Sequence, residues 1–403
     1  MNLKRINQRF FSTVAVVSMA GLKVAFAGAI STSSLTGGLN SITTAVPFLN
    51  IAPDSRSQGM GDVGVATSPD VNSIMWNPSK LAFCDKPLGF AVSYTPWLRE
   101  LVPDINLAYL SGYYKPDKNQ AFGVSLRYFS LGNIQFTDIN GSNVGQFRPN
   151  EFALDGTYAR KLTPDISGGL TARFIYSDLT NGYSAQGGNT HAGLGFAVDL
   201  SAYYQKPNIK VGGKKGLYSV GFDISNVGTK MSYTSSATRD FLPMNLRLGN
   251  SLNLILDEYN TFCFSLDFNK LLVPTPPLYN SNGQIVAGQD PNVGVAQGLF
   301  QSFTDAPGGY QEELREVTIS YGMEYWYDKQ FAMRGGFFYE DPTKGGRKFF
   351  TFGAGMKLSV FGLDFAYLVP TDQRNPLQNT LCFSLFFNFD ALKAPEETTP
   401  KGE

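Results

Sequence analysis

The stretch NTLCFSLFFNF, Asn379 to Phe389, places Leu381, Phe383, Leu385, Phe387 and Phe389 on one side of an extended chain. Thr380, Cys382, Ser384 and Asn388 fall on the other. One side suits hydrocarbon and the other a wet interior, which is the two-residue period of a strand in a transmembrane barrel wall. FGLDFAYLV repeats the pattern with Phe361, Leu363, Phe365, Tyr367 and Val369, and VTISYGMEYWY with Val317, Ile319, Tyr321, Met323, Tyr325 and Tyr327. Tyr and Phe at strand ends fit the aromatic girdles at the two interfaces.

The same test marks strands near 87–96, 105–115, 120–131, 151–161, 166–178, 192–204, 216–225, 244–253, 261–270, 317–327, 331–340, 349–358, 361–369 and 379–389. That is about fourteen, an even number as a closed bacterial barrel requires. The connections check the reading independently. They are short after the second, fourth, tenth and twelfth strands (PDKN, LTPD, DKQ, SV) and long after the third, fifth, seventh and ninth. Short periplasmic turns alternating with long outer loops is the barrel signature. QKPNIKVGGKK, 205–215, is the exception, being long for a periplasmic turn. The expected fold is an all-β transmembrane antiparallel barrel with both barrel ends periplasmic and 271–316 as the largest outer loop.

Composition agrees. Only 16% of residues are charged, 14% are aromatic and 42 are Gly, whereas soluble domains are about a quarter charged. The 33 basic and 33 acidic residues balance, so no nucleic-acid partner is expected. After the N-terminus, no segment reaches the roughly 18 apolar residues of a membrane helix. Lys4, Arg5 and Arg9, then FFSTVAVVSMAGL, then AFA at 25–27 have the order of a secretory signal peptide. The chain thus divides into a signal peptide (1–27), an N-terminal hatch or plug segment (28–86), the barrel (87–390) and a periplasmic tail (391–403). Cys84, Cys263 and Cys382 are odd in number and have no metal-site spacing, so they are expected to be small wall residues.

The hatch segment contains a G-x-G-x-x-G at Gly59, Gly61 and Gly64. A dinucleotide fingerprint needs a buried strand before it and a helix after it. NIAPDSRSQ precedes, and Pro69 and Pro78 limit any helix that follows, so the match fails on both flanks. The glycines are expected to permit tight turns and close approach to a wall, with Trp76, Asn77 and Pro78 pinning the segment near the first strand.

No cofactor, metal site or catalytic residue is expected. The single histidine, His191, stands near Asn181, Ser184 and Asn189 in a Gly-rich outer loop, where those residues are ordinary constituents. Arg127, Arg173, Asp199, Asp223, Arg247, Asp267, Glu324, Arg334, Lys357 and Asp364 fall on the lumen face. Both signs occur, and buried polar groups need partners, which favours a bracing network over a charge-selective conduit. In the outer loops Trp97, Tyr279, Phe300, Phe303 and Tyr310 are candidate partner-binding anchors. QEELREV is expected to make a short helical turn, with Glu312, Glu313, Arg315 and Glu316 read as a solvated face or as functional.

With a barrel of about fourteen strands behind a compact hatch carrying Asn77-Pro78, the chain resembles the FadL-like outer-membrane proteins. A closer resemblance is to the PorV (LptO) family of type IX secretion proteins. It rests on the block AVPFLNIAPDSRSQGMGDVGVATSPDVNSIMWNPSKLAF from Ala45, SYTPWLRELVPDINLAYLSGYY from Ser93 and SLRYFSLGNIQFTD from Ser125. NEFALDGTYARKL from Asn150 and DAPGGYQEELREVTISYG from Asp305 add to it. The resemblance implies a non-enzymatic barrel that binds cargo C-terminal domains and associates with the type IX translocon barrel (SprA/Sov-like). It implies delivery to an attachment complex of PorU, PorQ and PorZ, in contact with outer-membrane lipid and lipopolysaccharide. The alternative is a FadL-type transporter of hydrophobic small molecules.

Overall fold

The computed structural model describes residues 39–99, 102–137, 140–182, 190–234, 239–372 and 375–390. The expected signal peptide, hatch residues 28–38 and the tail 391–403 lie outside the described residues. Eighteen strands occur among the described residues. The first half comprises β1 (Leu88–Pro96), β2 (Asn106–Tyr114), β3 (Gln120–Ser130), β4 (Ile134–Thr137), β5 (Asn143–Phe147), β6 (Asn150–Lys161), β7 (Ile166–Asp178), β8 (Gly193–Val211) and β9 (Lys214–Gly228). The second comprises β10 (Asn245–Ile255), β11 (Asn260–Leu271), β12 (Leu278–Tyr279), β13 (Ile285–Ala287), β14 (Val317–Tyr327), β15 (Phe331–Tyr339), β16 (Lys348–Leu358), β17 (Phe361–Pro370) and β18 (Leu381–Phe389).

Fourteen of these close into a barrel of antiparallel neighbours, while β4–β5 and β12–β13 form two-stranded sheets in the outer loops. The seam pairs β1 with β18, Leu88 opposite Phe389 and Tyr94 opposite Phe383. Two solvents dictate the wall. On β1, exposed Phe90, Val92 and Tyr94 alternate with buried Ala91, Ser93 and Thr95. Across the seam Phe90 stacks on Phe387 at 4.7 Å on the lipid side, and the Ser93 and Ser384 hydroxyls bond at 2.6 Å on the lumen side.

The one connection that looked too long is not a loop. β8 and β9 continue past the other strands as a hairpin, paired through Val211 opposite Lys214. Gly212 and Gly213, with φ of 56° and 81°, make the two-residue turn, the mirror-image turn that follows strand twist. A register shift between Lys206 and Ile209 absorbs Pro207 and Asn208.

Residues 39–86 thread the lumen from the outer end to the periplasmic end. The Asn40 and Ala45 N–H groups donate to Thr343 and Phe241 carbonyls in outer loops, while Lys115, in the turn after β2, donates to the Cys84 carbonyl. Between them lie a 3-10 turn (Pro47–Asn50), one-turn helices α1 (Ser55–Gln58) and α2 (Ser73–Trp76), and a 3-10 helix (Pro78–Phe83). Asp54 caps α1, accepting from the Ser57 N–H at 2.9 Å, and the same carboxylate takes the Trp76 indole N–H at 2.8 Å. Such short helices are not stable alone. They are ordered by burial, with Phe48 and Leu49 against Leu107, Phe129 and Ile175 above, and Ile74 and Leu81 against Tyr113, Ala121 and Ala159 below.

Candidate functional site

The hatch is fixed by backbone shape and by charge. Gly61 has φ +70°, and a Cβ there would stand 2.6 Å from the Phe337 backbone nitrogen. Opposite it, a Cβ on wall residue Gly336 would lie 2.1 Å from the Gly61 nitrogen. Bare backbone thus packs on bare backbone, the close approach that glycine alone permits. Gly59 abuts Gly353, and Gly64 lies flat on the Trp76 ring. Of Trp76, Asn77 and Pro78, Trp76 lies close to the first strand, since Tyr109 pairs with Ser93 of β1, and the other two lie further round the wall. Trp76 packs with Tyr109 of β2, and the Asn77 amide donates to the Val65 and Ala202 carbonyls at 3.0 Å. Pro78 opens the helix whose Ser79 N–H donates to the Ser201 hydroxyl of β8. The anchor therefore lies on β7 and β8, because Ser167 also donates to the Ser79 carbonyl.

The lumen charges form a connected network with the hatch. Arg334 meets Glu324 at 2.9 Å and Asp364 at 2.7 Å, and hatch residue Arg56 meets Glu324 at 2.8 Å and Asp70 at 2.7 Å. Arg173 bridges Asp155 at 2.6 Å and Asp199 at 2.9 Å. Others grip hatch backbone directly. Arg127 donates to the Leu49 carbonyl at 2.5 Å, Arg247 to that of Met75 at 2.8 Å, and Asp267 accepts from the Gly64 and Val65 N–H groups. Lys357 stands apart, half-buried at the end of β16 with no ion pair to another described residue. Buried pairs of this kind add little net stability, yet removing one partner costs about 3–5 kcal/mol, so the network holds the hatch in one position.

Outside the wall, the connection from β11 to β14 is a folded platform. It carries β12–β13, α3 (Val295–Gln301) and α4 (Tyr310–Arg315). Leu272 and Val273 pack with Phe241 and Met244, and Val293, Val295 and Leu299 lie against that cluster. Glu313 and Glu316 are buried and not a solvated face, Glu312 is half-buried, and of the four charges in that run Arg315 alone is exposed. Lys270 donates to both, at 2.9 and 2.5 Å. Lys344, from the β15–β16 loop, holds Glu312 and Glu316, and the hatch joins through the Asn40 amide on Glu312 at 2.9 Å. Asp305 accepts from the Thr275 N–H; burial, with Glu313 and Glu316 nearby, pushes its carboxyl up to about 6. Sequence reading missed Lys270, Lys344, Asp305 and Asn40.

With its polar side turned inward, the platform leaves an apolar surface open. Tyr279 is 55%, Phe300 74%, Phe303 43% and Tyr310 76% exposed, with Leu278, Val286 and Leu314 also exposed. Exposed aromatic side chains on a braced support are the kind of residue that anchors a partner. Trp97 does not belong to it. Its ring is half-buried between the Phe48–Phe129 cluster and the Phe338–Phe349–Leu377 cluster, where it fastens the first outer loop. His191 is exposed, its Nδ1 3.0 Å from the Ala192 carbonyl, and Ser184 and Asn189 lie outside the described residues. The three cysteines are buried and free: Cys263 and Cys382 face the lumen from the wall, and Cys84 ends the hatch.

The sequence of this chain matches the family described as "Type IX secretion system protein PorV" over residues 36–278. Among solved structures it is similar to the P. putida toluene transporter TodX, at 11% identity over 84% of this chain and 99% of that one, with a TM-score of 0.50. It is also similar to the Ralstonia pickettii toluene transporter TbuX (12% identity, 83% and 98% covered, TM-score 0.46). A Pseudomonas aeruginosa FadL homologue aligns at 13% identity (88% and 100% covered, TM-score 0.42). At such identities the likeness to TodX concerns the fold alone. No curated protein matches significantly.

Proposed function

This chain belongs to the PorV family of type IX secretion system proteins, outer-membrane barrels, and from that premise we propose that it works as a cargo receptor and shuttle. The apolar face of the 271–316 platform receives the C-terminal domains of exported cargo. The barrel associates with the translocon barrel and hands cargo to the surface attachment complex of PorU, PorQ and PorZ. It acts by binding and not by catalysis.

The observation that carries this reading is the pairing of an exposed aromatic surface with a buried ionic clamp beneath it. A rigid support lets aromatic anchors bind without first losing loop entropy. The alternative of a FadL-type transporter finds less support, because charged side chains and a threaded hatch occupy the lumen where an apolar path would run.

Affinity capture tests the proposal. Tagged protein should retain exported proteins that share a C-terminal domain, and F300S/Y310S should retain several-fold less at unchanged abundance in the outer membrane. Intact secretion and surface attachment in a deletion strain would refute it.

A further inference from the structure

Between the hatch and the outer loops lies a cavity of about 260 Å³, floored by Asp62 and Trp76 and walled by β10, β11, β14 and the β15–β16 loop. Its three cations are already committed. Arg247 donates to the Met75 carbonyl and faces Asp223, Lys344 is held by Glu312 and Glu316, and Arg347 pairs with Glu340 at 2.9 Å. Asp62, Glu316 and Glu340 in the same lining balance the three, so an anion entering here meets no net positive charge.

What remains uncommitted is neutral and polar. The amides of Asn245 and Asn269 and the hydroxyl of Thr318 line the cavity and have no hydrogen-bond partner among the described residues, although Asn245 is only 7% exposed. The Asn50 carbonyl oxygen Oδ1, also in the lining, is buried without a donor. The Asp62 carboxyl in the lining makes no side-chain hydrogen bond among the described residues. Buried polar groups without partners are uncommon in folded proteins and call for a ligand or ordered water.

We infer that this vestibule is a binding site for a neutral sugar ring. Sugar hydroxyls donate and accept at once, which matches amide and hydroxyl side chains one for one. A peptide terminus would bring a full charge into a cavity whose three cations and three carboxylates balance. The saccharide could be free or part of a lipopolysaccharide. Cargo binding on the outer platform is a separate activity and does not depend on this one.

The test uses full-length protein in a sugar-free detergent and saturation-transfer NMR. The probes are methyl glucoside, N-acetylglucosamine, delipidated O-polysaccharide, intact lipopolysaccharide and glucuronic acid. Ring protons of at least one neutral saccharide should receive saturation, and glucuronic acid should receive less. Thr318→Val, which keeps the volume, and Asn245→Leu should each weaken binding by about fivefold to tenfold, the loss of one hydrogen bond. Heat-modifiable gel mobility identifies the folded variants. Signal from the O-polysaccharide but not the monosaccharides supports a longer glycan in the same site. Absence of transfer to the ring protons of every saccharide, unchanged affinity in both folded variants, or binding of intact lipopolysaccharide that saturates its acyl chains and not its sugar rings would each overturn the inference.

Discussion

Replacing Lys270 with Met removes the ammonium that reaches both Glu313 and Glu316. Glu316 keeps Lys344 at 3.0 Å and the Thr275 hydroxyl at 2.7 Å. Glu313 keeps only the Ala306 N–H at 2.9 Å. One buried carboxylate is therefore left without a cation, and the cost belongs at the lower end of the range for breaking a buried pair, about 3 kcal/mol. The platform is held by this clamp, by Lys344 and Asn40 on Glu312, and by its packing on Phe241 and Met244, none of which is a strand pairing of the barrel, so the cost appears as local opening and not as barrel unfolding. At 1.4 kcal/mol per decade, the open population of 272–316 rises about 100-fold. Hydrogen exchange in detergent should show amides of α3 and α4 exchanging faster by that factor, while β6, β7 and β8 stay unchanged. Adding Glu313→Gln should recover more than half of the loss, because the penalty comes from the stranded charge. Acceleration below about fivefold, equal acceleration in the barrel strands, or no recovery in the double variant would refute the clamp.

Further outcomes follow from the same geometry. Gly61→Ala combines a positive φ with a 2.6 Å clash against backbone, so the hatch should undock, and trypsin added to the periplasmic side should cut 39–86 at least tenfold faster with the barrel still heat-modifiable. Asp305 is protonated more readily folded than unfolded, so between its ordinary value near 3.8 and about 6 the folded platform holds the extra proton. Its stability contribution therefore falls as pH rises through that window. Asp305→Asn should abolish that slope in hydrogen exchange measured from pH 4 to 6.5, while a slope equal to wild type would contradict the assignment. Leu39 is 83% exposed beside outer-loop contacts of Asn40. An epitope inserted immediately before Leu39 should bind antibody on intact cells, and labelling only after permeabilisation would show the hatch to run the other way.

The barrel was legible because two solvents enforce it residue by residue. A cation on the lipid side costs about 2–4 kcal/mol at mid-membrane, so Phe90, Val92 and Tyr94 had to alternate with Ala91, Ser93 and Thr95. The lumen charges were legible for the same reason, being what lipid excludes. Their partners were not: Arg56 meets Glu324 across 268 positions of chain, and no local period encodes that. The extended β8–β9 hairpin was misread because Pro207 and Asn208 look like loop. Gly212-Gly213 between alternating segments was the signal that would have found it.

The outer platform shows where local reading gives out and why. Glu312, Glu313 and Glu316 share one side of a helical turn by their spacing, which is equally the pattern of a solvated face and of a buried clamp. What decides between them is Lys270, 43 positions from Glu313, and Lys344, 28 positions from Glu316. The aromatic residues divide by the same logic. Trp97 and Phe300 look alike in sequence, both in outer loops, yet one is wedged between two core clusters and the other is 74% exposed. Trp97 follows β1 directly and is carried inward by the Trp97 N–H bond to Ile105 at 3.0 Å. Phe300 lies on α3, whose opposite side is consumed by Gly298 against Phe241, so its ring has only the outer face left. Exposure here is the remainder after packing is satisfied. Under the proposed cargo-receptor function, weakening the ionic clamp should therefore reduce cargo capture even with Tyr279, Phe300 and Tyr310 intact.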